Sequence, residues 1–141
     1  MASPLEIYNA WQSRQMAGDV EHLGEVVDLE GFRDICIGLS DWTTGYEAAF
    51  QNLTRNILIP WADWHTTVEA IVEGQDAVVV RQRAEATHVA DFLGIPATGR
   101  RVSWEVVAMV KVKDGRVIEN CTLLDLWGIY RQLTTPALQQ M

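Results

Sequence analysis

At 141 residues and 15.9 kDa the chain has the length of one domain, and 48% hydrophobic with 21% charged residues excludes a disordered tail, a collagen-like chain and a coiled coil. Nineteen acidic against eleven basic residues give a net charge of -8 and a pI near 4.7, so nucleic acid and anionic membrane surfaces are not expected partners. No apolar run reaches the roughly 18 residues that cross a bilayer, and no basic start, apolar stretch and small-residue cleavage site mark a secretory signal.

A cytoplasmic location is therefore expected, with Cys36 and Cys121 reduced, since they lie far apart and neither has a metal-type or CxxC spacing. Without repeats or linkers, residues 1–141 are taken as one domain. Ser3-Pro4-Leu5-Glu6 opens the first helix as a capping box with proline at the first helical position. Leu5, Tyr8 and Trp11 then follow helical spacing up to Gly18. Asp19 caps a second helix with an apolar stripe of Val20, Leu23, Val26 and Val27. Phe32 to Ile37 reads as a short strand. Thr44-Gly45-Tyr46-Glu47 reads as another capping box, opening a helix that must end before Pro60.

Beyond Pro60 the period changes to that of strands. Trp64 to Glu73, Asp76 to His88, Arg101 to Lys113 and Arg116 to Leu124 are rich in Val, Thr and Trp and bounded by turn residues. Asp114-Gly115 between two such runs is a strong hairpin signal. Asp125 can cap a closing helix through Leu126, Trp127, Ile129 and Tyr130. Helices gathered on one face of a curved antiparallel sheet make an α+β domain. Such a sheet wrapped around a helix leaves a cone-shaped pocket. The six tryptophans pack its core or line it for a flat aromatic ligand.

Two segments carry a wider pattern: Ala86-Thr87-His88-Val89-Ala90-Asp91-Phe92-Leu93-Gly94-Ile95-Pro96-Ala97-Thr98-Gly99-Arg100, and Lys113-Asp114-Gly115-Arg116-Val117-Ile118-Glu119 followed by Asp125-Leu126-Trp127-Gly128-Ile129-Tyr130-Arg131-Gln132-Leu133. In this order they resemble the SnoaL-like polyketide cyclase family from about Glu6 to Leu133. The resemblance implies the cone-shaped α+β barrel shared with nuclear transport factor two, and work on aromatic, anthracycline-type polyketides. Ring-closing members catalyse an intramolecular aldol condensation with an acid/base Asp and a His and Gln on a neighbouring strand. A smaller branch resembles cofactor-independent hydroxylases.

Aligned on the Asp-Gly hairpin, the family's His, Gln and Asp positions fall on Ala108, Val106 and Thr122. An unperturbed threonine is far too weak a base to take a proton from carbon near neutral pH. Asp34, on the first strand, is either a turn or edge-strand carboxylate in water or the first candidate for a base, because an apolar cavity raises a carboxyl's pKa toward the working range. Asn120 and Thr122 project from one strand face and either bond a phenol or quinone oxygen or satisfy local backbone. Asp125 either caps the last helix or orients a ligand. His88 is either a structural hydrogen-bonding group or a base, and His65, beside Asp63, is placed near the pocket mouth. Trp11, Trp104, Val106 and Ala108 complete the expected ligand wall.

His22, His65 and His88 lack metal-site spacing, and no GxGxxG follows a strand, so neither metal nor nucleotide cofactor is expected. The favoured expectation is hydroxylation of a polyketide ring carbon by O2, with electrons supplied by a substrate reduced by a separate reductase. Aldol ring closure and non-catalytic binding of an aromatic remain as alternatives. Apolar outer positions on the late strands favour a homodimer.

Overall fold

A computed structural model describes residues 1–136; residues 137–141, which the single-domain reading takes in, lie outside the described residues. The first helix, α1 (Pro4–Ala17), starts as expected: Ser3 Oγ accepts from the Glu6 N–H at 3.2 Å while the Ser3 N–H donates to Glu6 Oε1 at 3.1 Å. It stops at Gly18, whose φ of 68° is the left-handed cap that glycine adopts without strain.

Helix α2 is shorter than expected. Asp19 caps it, but it covers only Val20–Leu23; Val20 is exposed, and Val27 leaves to form an isolated bridge with Val117. Strand β1 (Arg33–Ile37) is followed by a strand not foreseen, β2 (Thr43–Thr44), which pairs with it. That pairing removes the capping box expected at Thr44. Thr44 is committed to the ladder opposite Arg33, and Gly45, at φ 98°, stands at the helix start without a side-chain cap bond. Helix α3 (Tyr46–Leu53) runs on as a π-helical segment, Thr54–Leu58, which ends before Pro60.

Strands β3 (Trp61–Glu73), β4 (Ala77–His88), β5 (Arg101–Lys113) and β6 (Arg116–Leu124) form an antiparallel meander, and α4 (Leu126–Thr134) closes the described chain. The β5–β6 turn has Asp114 and Gly115 both at positive φ, 53° and 78°, the mirror-image turn that matches strand twist. Strand β3 begins at Trp61 rather than Trp64, because Trp61 and Ala62 pair with His88 and Thr87 before Asp63, at φ 54°, interrupts the register. The sheet order is β2-β1-β6-β5-β4-β3, with β1 parallel to β6. No helix among the described residues is long and apolar enough to cross a membrane.

Alternation divides the sheet into two faces. Val78, Val80, Ala84 and Ala86 of β4 and Val102, Trp104 and Val110 of β5 are buried on the inner face, beneath the helices. They belong to two separate clusters. One gathers α1 (Ile7, Tyr8, Trp11) with Phe32, Val78, Val80 and Val110. The other gathers Trp61, Phe92, Trp104 and Leu124 with Ile129 and Leu133 of α4.

Helix α4 is held by two polar devices. Strand β6 stops opposite Val106, leaving the start of β5 unpaired on that side; there Gln132 Oε1 accepts from the Ser103 N–H at 3.1 Å and Nε2 donates to the Ser103 carbonyl at 2.7 Å. Arg100 Nη1 donates into the carbonyls of Gln132 (2.9 Å), Leu133 (3.2 Å) and Thr135, capping the helix C-terminus with a cation.

Candidate functional site

Between the two buried clusters the inner face changes character. Gln82, Val106, Ala108, Asn120 and Thr122 are half-buried there, flanked on β1 by Asp34 and Cys36. Register brings them together: Val110, Ala108 and Val106 face Asn120, Thr122 and Leu124 across the β5–β6 ladder, so all six share one face. The parallel β1–β6 pairing sets Asp34 beside Asn120 and Cys36 beside Thr122. Asn120 Nδ2 donates to Asp34 Oδ1 at 2.8 Å and to Thr122 Oγ1 at 3.1 Å. Burial raises the Asp34 carboxyl above the ordinary aspartate range, and the Asn120 bond opposes that rise. Burial, with Asp34 and Cys121 adding to it, pushes the Cys36 thiol up to about 11, so it is neutral near pH 7.

Helix α1 roofs the strip with Tyr8, Trp11 and Gln15, spaced to lie on one helix face. The Tyr8 hydroxyl accepts from Gln82 Nε2 at 3.4 Å, and the Tyr46 hydroxyl of α3 donates to Gln15 Oε1. Burial raises the Tyr46 hydroxyl's pKa; the Trp11 indole lowers it and Asp34 raises it further, which places all three groups in one neighbourhood. Trp11 is 5% exposed, and its indole N–H lies toward the Tyr46 hydroxyl, whose pKa it lowers by hydrogen bonding.

Of the expected site residues, the fold thus gathers Asp34, Asn120, Thr122, Val106 and Ala108 on one face, with Trp11 above them. Four others lie elsewhere. His88 is fully buried in the second cluster, 5.1 Å ring to ring from Trp61. Its Nδ1 accepts from the Thr98 N–H at 3.2 Å and lies 3.0 Å from Thr98 Oγ1, so the neutral ring carries its proton on Nε2. Trp104 is buried in that cluster too, 4.8 Å from the Trp61 ring. Asp125 takes the capping alternative, its Oδ1 accepting from the Gly128 N–H at 2.9 Å.

His65 corrects the expectation of a place at the pocket mouth. The irregularity at Asp63 re-phases β3 so that His65 pairs with Glu85, between inward-facing Ala84 and Ala86, and points outward into solvent. The sequence reading missed Tyr8, Gln15, Tyr46, Gln82 and Cys36. A signal existed for Gln82: it is the polar residue in an inward row of Val78, Val80, Ala84 and Ala86. Among the described residues no group of three or more His, Cys, Asp or Glu side chains is arranged to hold a metal ion.

A polar strip between two apolar clusters, roofed by a helix, lies on the inner face of a cone-shaped α+β fold. The chain belongs to the SnoaL-like polyketide cyclase family, whose model matches residues 6–133. Over 49 residues, 35% of this chain, it is 41% identical to the aklanonic acid methyl ester cyclase DnrD of Streptomyces peucetius. That match spans 34% of the curated relative's own length. Among solved structures it is similar to IdmH of Streptomyces antibioticus, a proposed polyketide cyclase (27% identity, 94% of this chain and 99% of that one, TM-score 0.73). It also shares its fold with AclR of Streptomyces galilaeus, a proposed hydroxylase (19% identity, 92% and 94% covered, TM-score 0.69).

Proposed function

We propose that the chain is a polyketide-tailoring enzyme that hydroxylates a ring carbon of an aromatic, anthracycline-type polyketide, with Asp34 as the base. The observation that carries this reading is the composition of the inner face. Val106, Ala108 and Thr122, where the ring-closing members of the family keep Gln, His and Asp, are neighbours there and bear no acid or base of useful strength. The carboxylate on that face is Asp34, held by Asn120 and raised toward the range of a working base.

Asp34 takes the proton of a phenol on a dihydroquinone-level substrate. The resulting anion passes an electron to O2, and recombination forms a C–O bond as a hydroperoxide. Loss of water across the O–O bond leaves a carbonyl that tautomerises to the new hydroxyl. One oxygen atom enters the ring, the other leaves as water, and the substrate returns to the quinone level. The protein's part is to hold the anion, keep water from it and fix which carbon meets oxygen. A separate reductase supplies the reduced substrate.

A second reading, intramolecular aldol ring closure, is favoured by the 49-residue match to a cyclase. Under it Asp34 takes a proton from carbon and a different group protonates the aldol oxygen. Product mass under 18O2 separates the two. A gain of one labelled oxygen with reduced substrate supports hydroxylation, an isomer of unchanged mass supports ring closure, and substrate recovered untouched from a tight complex overturns both. Asp34→Asn lowers turnover by about 100-fold or more under either enzymatic reading, the usual contribution of a general base. The outer sheet face, with Val107, Met109 and Leu123 between flanking ion pairs, suits packing against a second copy.

A further inference from the structure

We infer that the Tyr8 hydroxyl and the Gln82 carboxamide form a second anchor on the inner face, which seats a hydroxyl of the bound ring system at the end away from Asp34 and so fixes which part of the ring meets the base. The inference deepens the proposed function and rests on its assignment of Asp34 as the base. Register sets the two ends apart. Asp34 lies in line with Asn120 and Val110, and Gln82 in line with Val106 and Leu124, so Gln82 stands three strands across and two inward rows along from Asp34. Between these ends Val106 and Ala108 form a floor that offers a ring apolar contact and no polar side chain.

Packing alone gives Gln82 no reason to be polar. It shares the inward row of β4 with Val78, Val80, Ala84 and Ala86, all buried and apolar, where a leucine would avoid desolvating an amide. The bond from its Nε2 to the Tyr8 oxygen, at 3.4 Å, is long and uses a fraction of what the amide can offer. Tyr8 is 9% exposed, and burial keeps its hydroxyl protonated. With its oxygen accepting from Gln82, the Tyr8 O–H donates to no described residue, and Gln82 Oε1 accepts from none. Turning the amide over exchanges the roles and still leaves one donor and one acceptor side by side. A ligand hydroxyl fills both through a single oxygen, whereas a ketone or ether oxygen fills one. The other polar tips of α1 are committed to α3: the Trp11 N–H lies toward the Tyr46 hydroxyl, which donates to Gln15 Oε1.

The test titrates two probes into the protein and follows tryptophan fluorescence. 2,6-Dihydroxyanthraquinone carries a hydroxyl at each end of its ring system, and 2-hydroxyanthraquinone carries one at a single end. The wild type is expected to bind the dihydroxy probe about ten-fold more tightly, the effect of two neutral hydrogen bonds. That preference is expected to fall to about three-fold in Tyr8→Phe, which keeps the ring, and in Gln82→Leu, which restores an apolar row, and to vanish in the double variant. Because each preference is a ratio within one protein, a change of packing that affects both probes alike cancels. Equal binding of the two probes by the wild type, which needs no variant to fold, overturns the inference and leaves Asp34 as base untouched. So does a ten-fold preference that persists in both single variants. A wild type that binds neither probe overturns the proposed function together with it.

Discussion

Replacing Asn120 with alanine isolates the contact that sets the proton affinity of Asp34. Burial raises this carboxyl, and the amide donating at 2.8 Å is the force that lowers it. A hydrogen bond to an ionised acceptor contributes about 1.5–3 kcal/mol. Asp34 is half-buried, and water competes for the vacated lone pair, so the lower figure applies; at about 1.4 kcal/mol per unit, Asn120→Ala raises the carboxyl's pKa by about one unit. The residue's titration, followed by 13C NMR with Asp34→Asn supplying the assignment, measures this directly. Thr122→Val removes the other Asn120 bond and leaves the Asp34 contact, so its midpoint stays near that of the wild type. Linkage gives an independent sign. With the folded pKa above the unfolded one, stability is greatest below the ordinary aspartate value and falls as pH rises through the folded value. Asn120→Ala extends that falling limb to higher pH and moves the acid limb of any activity profile the same way. A midpoint that stays in place in Asn120→Ala, or moves down, refutes the claim that the Asn120 amide holds the Asp34 carboxyl down.

Arg100→Ala exposes the α4 C-terminus, and loss of charge-assisted bonds to its carbonyls costs about 2 kcal/mol in urea unfolding, while Arg100→Lys recovers part of it. An unchanged midpoint would show that α4 needs no cation at its end. Burial lowers the His88 pKa below the ordinary imidazole value, so its neutral ring contributes stability that is present above about pH 6.5 and lost as pH falls below it. A His88→Gln variant flattens that limb of the thermal-stability profile; an identical slope would place the acid sensitivity elsewhere. Sedimentation velocity is expected to give a dimer for the wild type and a monomer for Met109→Glu, whose charge would enter the apolar outer patch; a monomeric wild type removes the packing proposal.

Sequence pattern made most of the meander legible, because β4, β5 and β6 obey alternation and the Asp114-Gly115 turn is local chemistry. The Ser3 and Asp125 caps were readable for the same reason. What failed depended on distant partners. Thr44 looks like a cap until Arg33 pairs with it, and nothing near Val26 and Val27 announces the bridge to Val117. His65 lost its expected place to the left-handed backbone at Asp63, which inverts the phase of β3 as far as Val68, where a second irregularity before Ala70 restores it. In the site, Asp34, Asn120 and Thr122 were named, but their bonding follows from the parallel placement of β1, which local pattern does not encode. Tyr46 and Gln15 went unnoticed because helix packing, not spacing along the chain, makes them neighbours.

The bracket that Gln132 forms on Ser103 makes one amide proton a sentinel. In the interior of the meander an amide is paired with another strand and exchanges with deuterium only when the sheet opens. The Ser103 N–H is shielded by a side chain, so its exchange reports how often α4 lifts from β5 while the rest of the sheet stays closed. Each such excursion bares a short run of backbone edge next to Trp104. That is the place where a second chain would first add a strand if α4 were weakened.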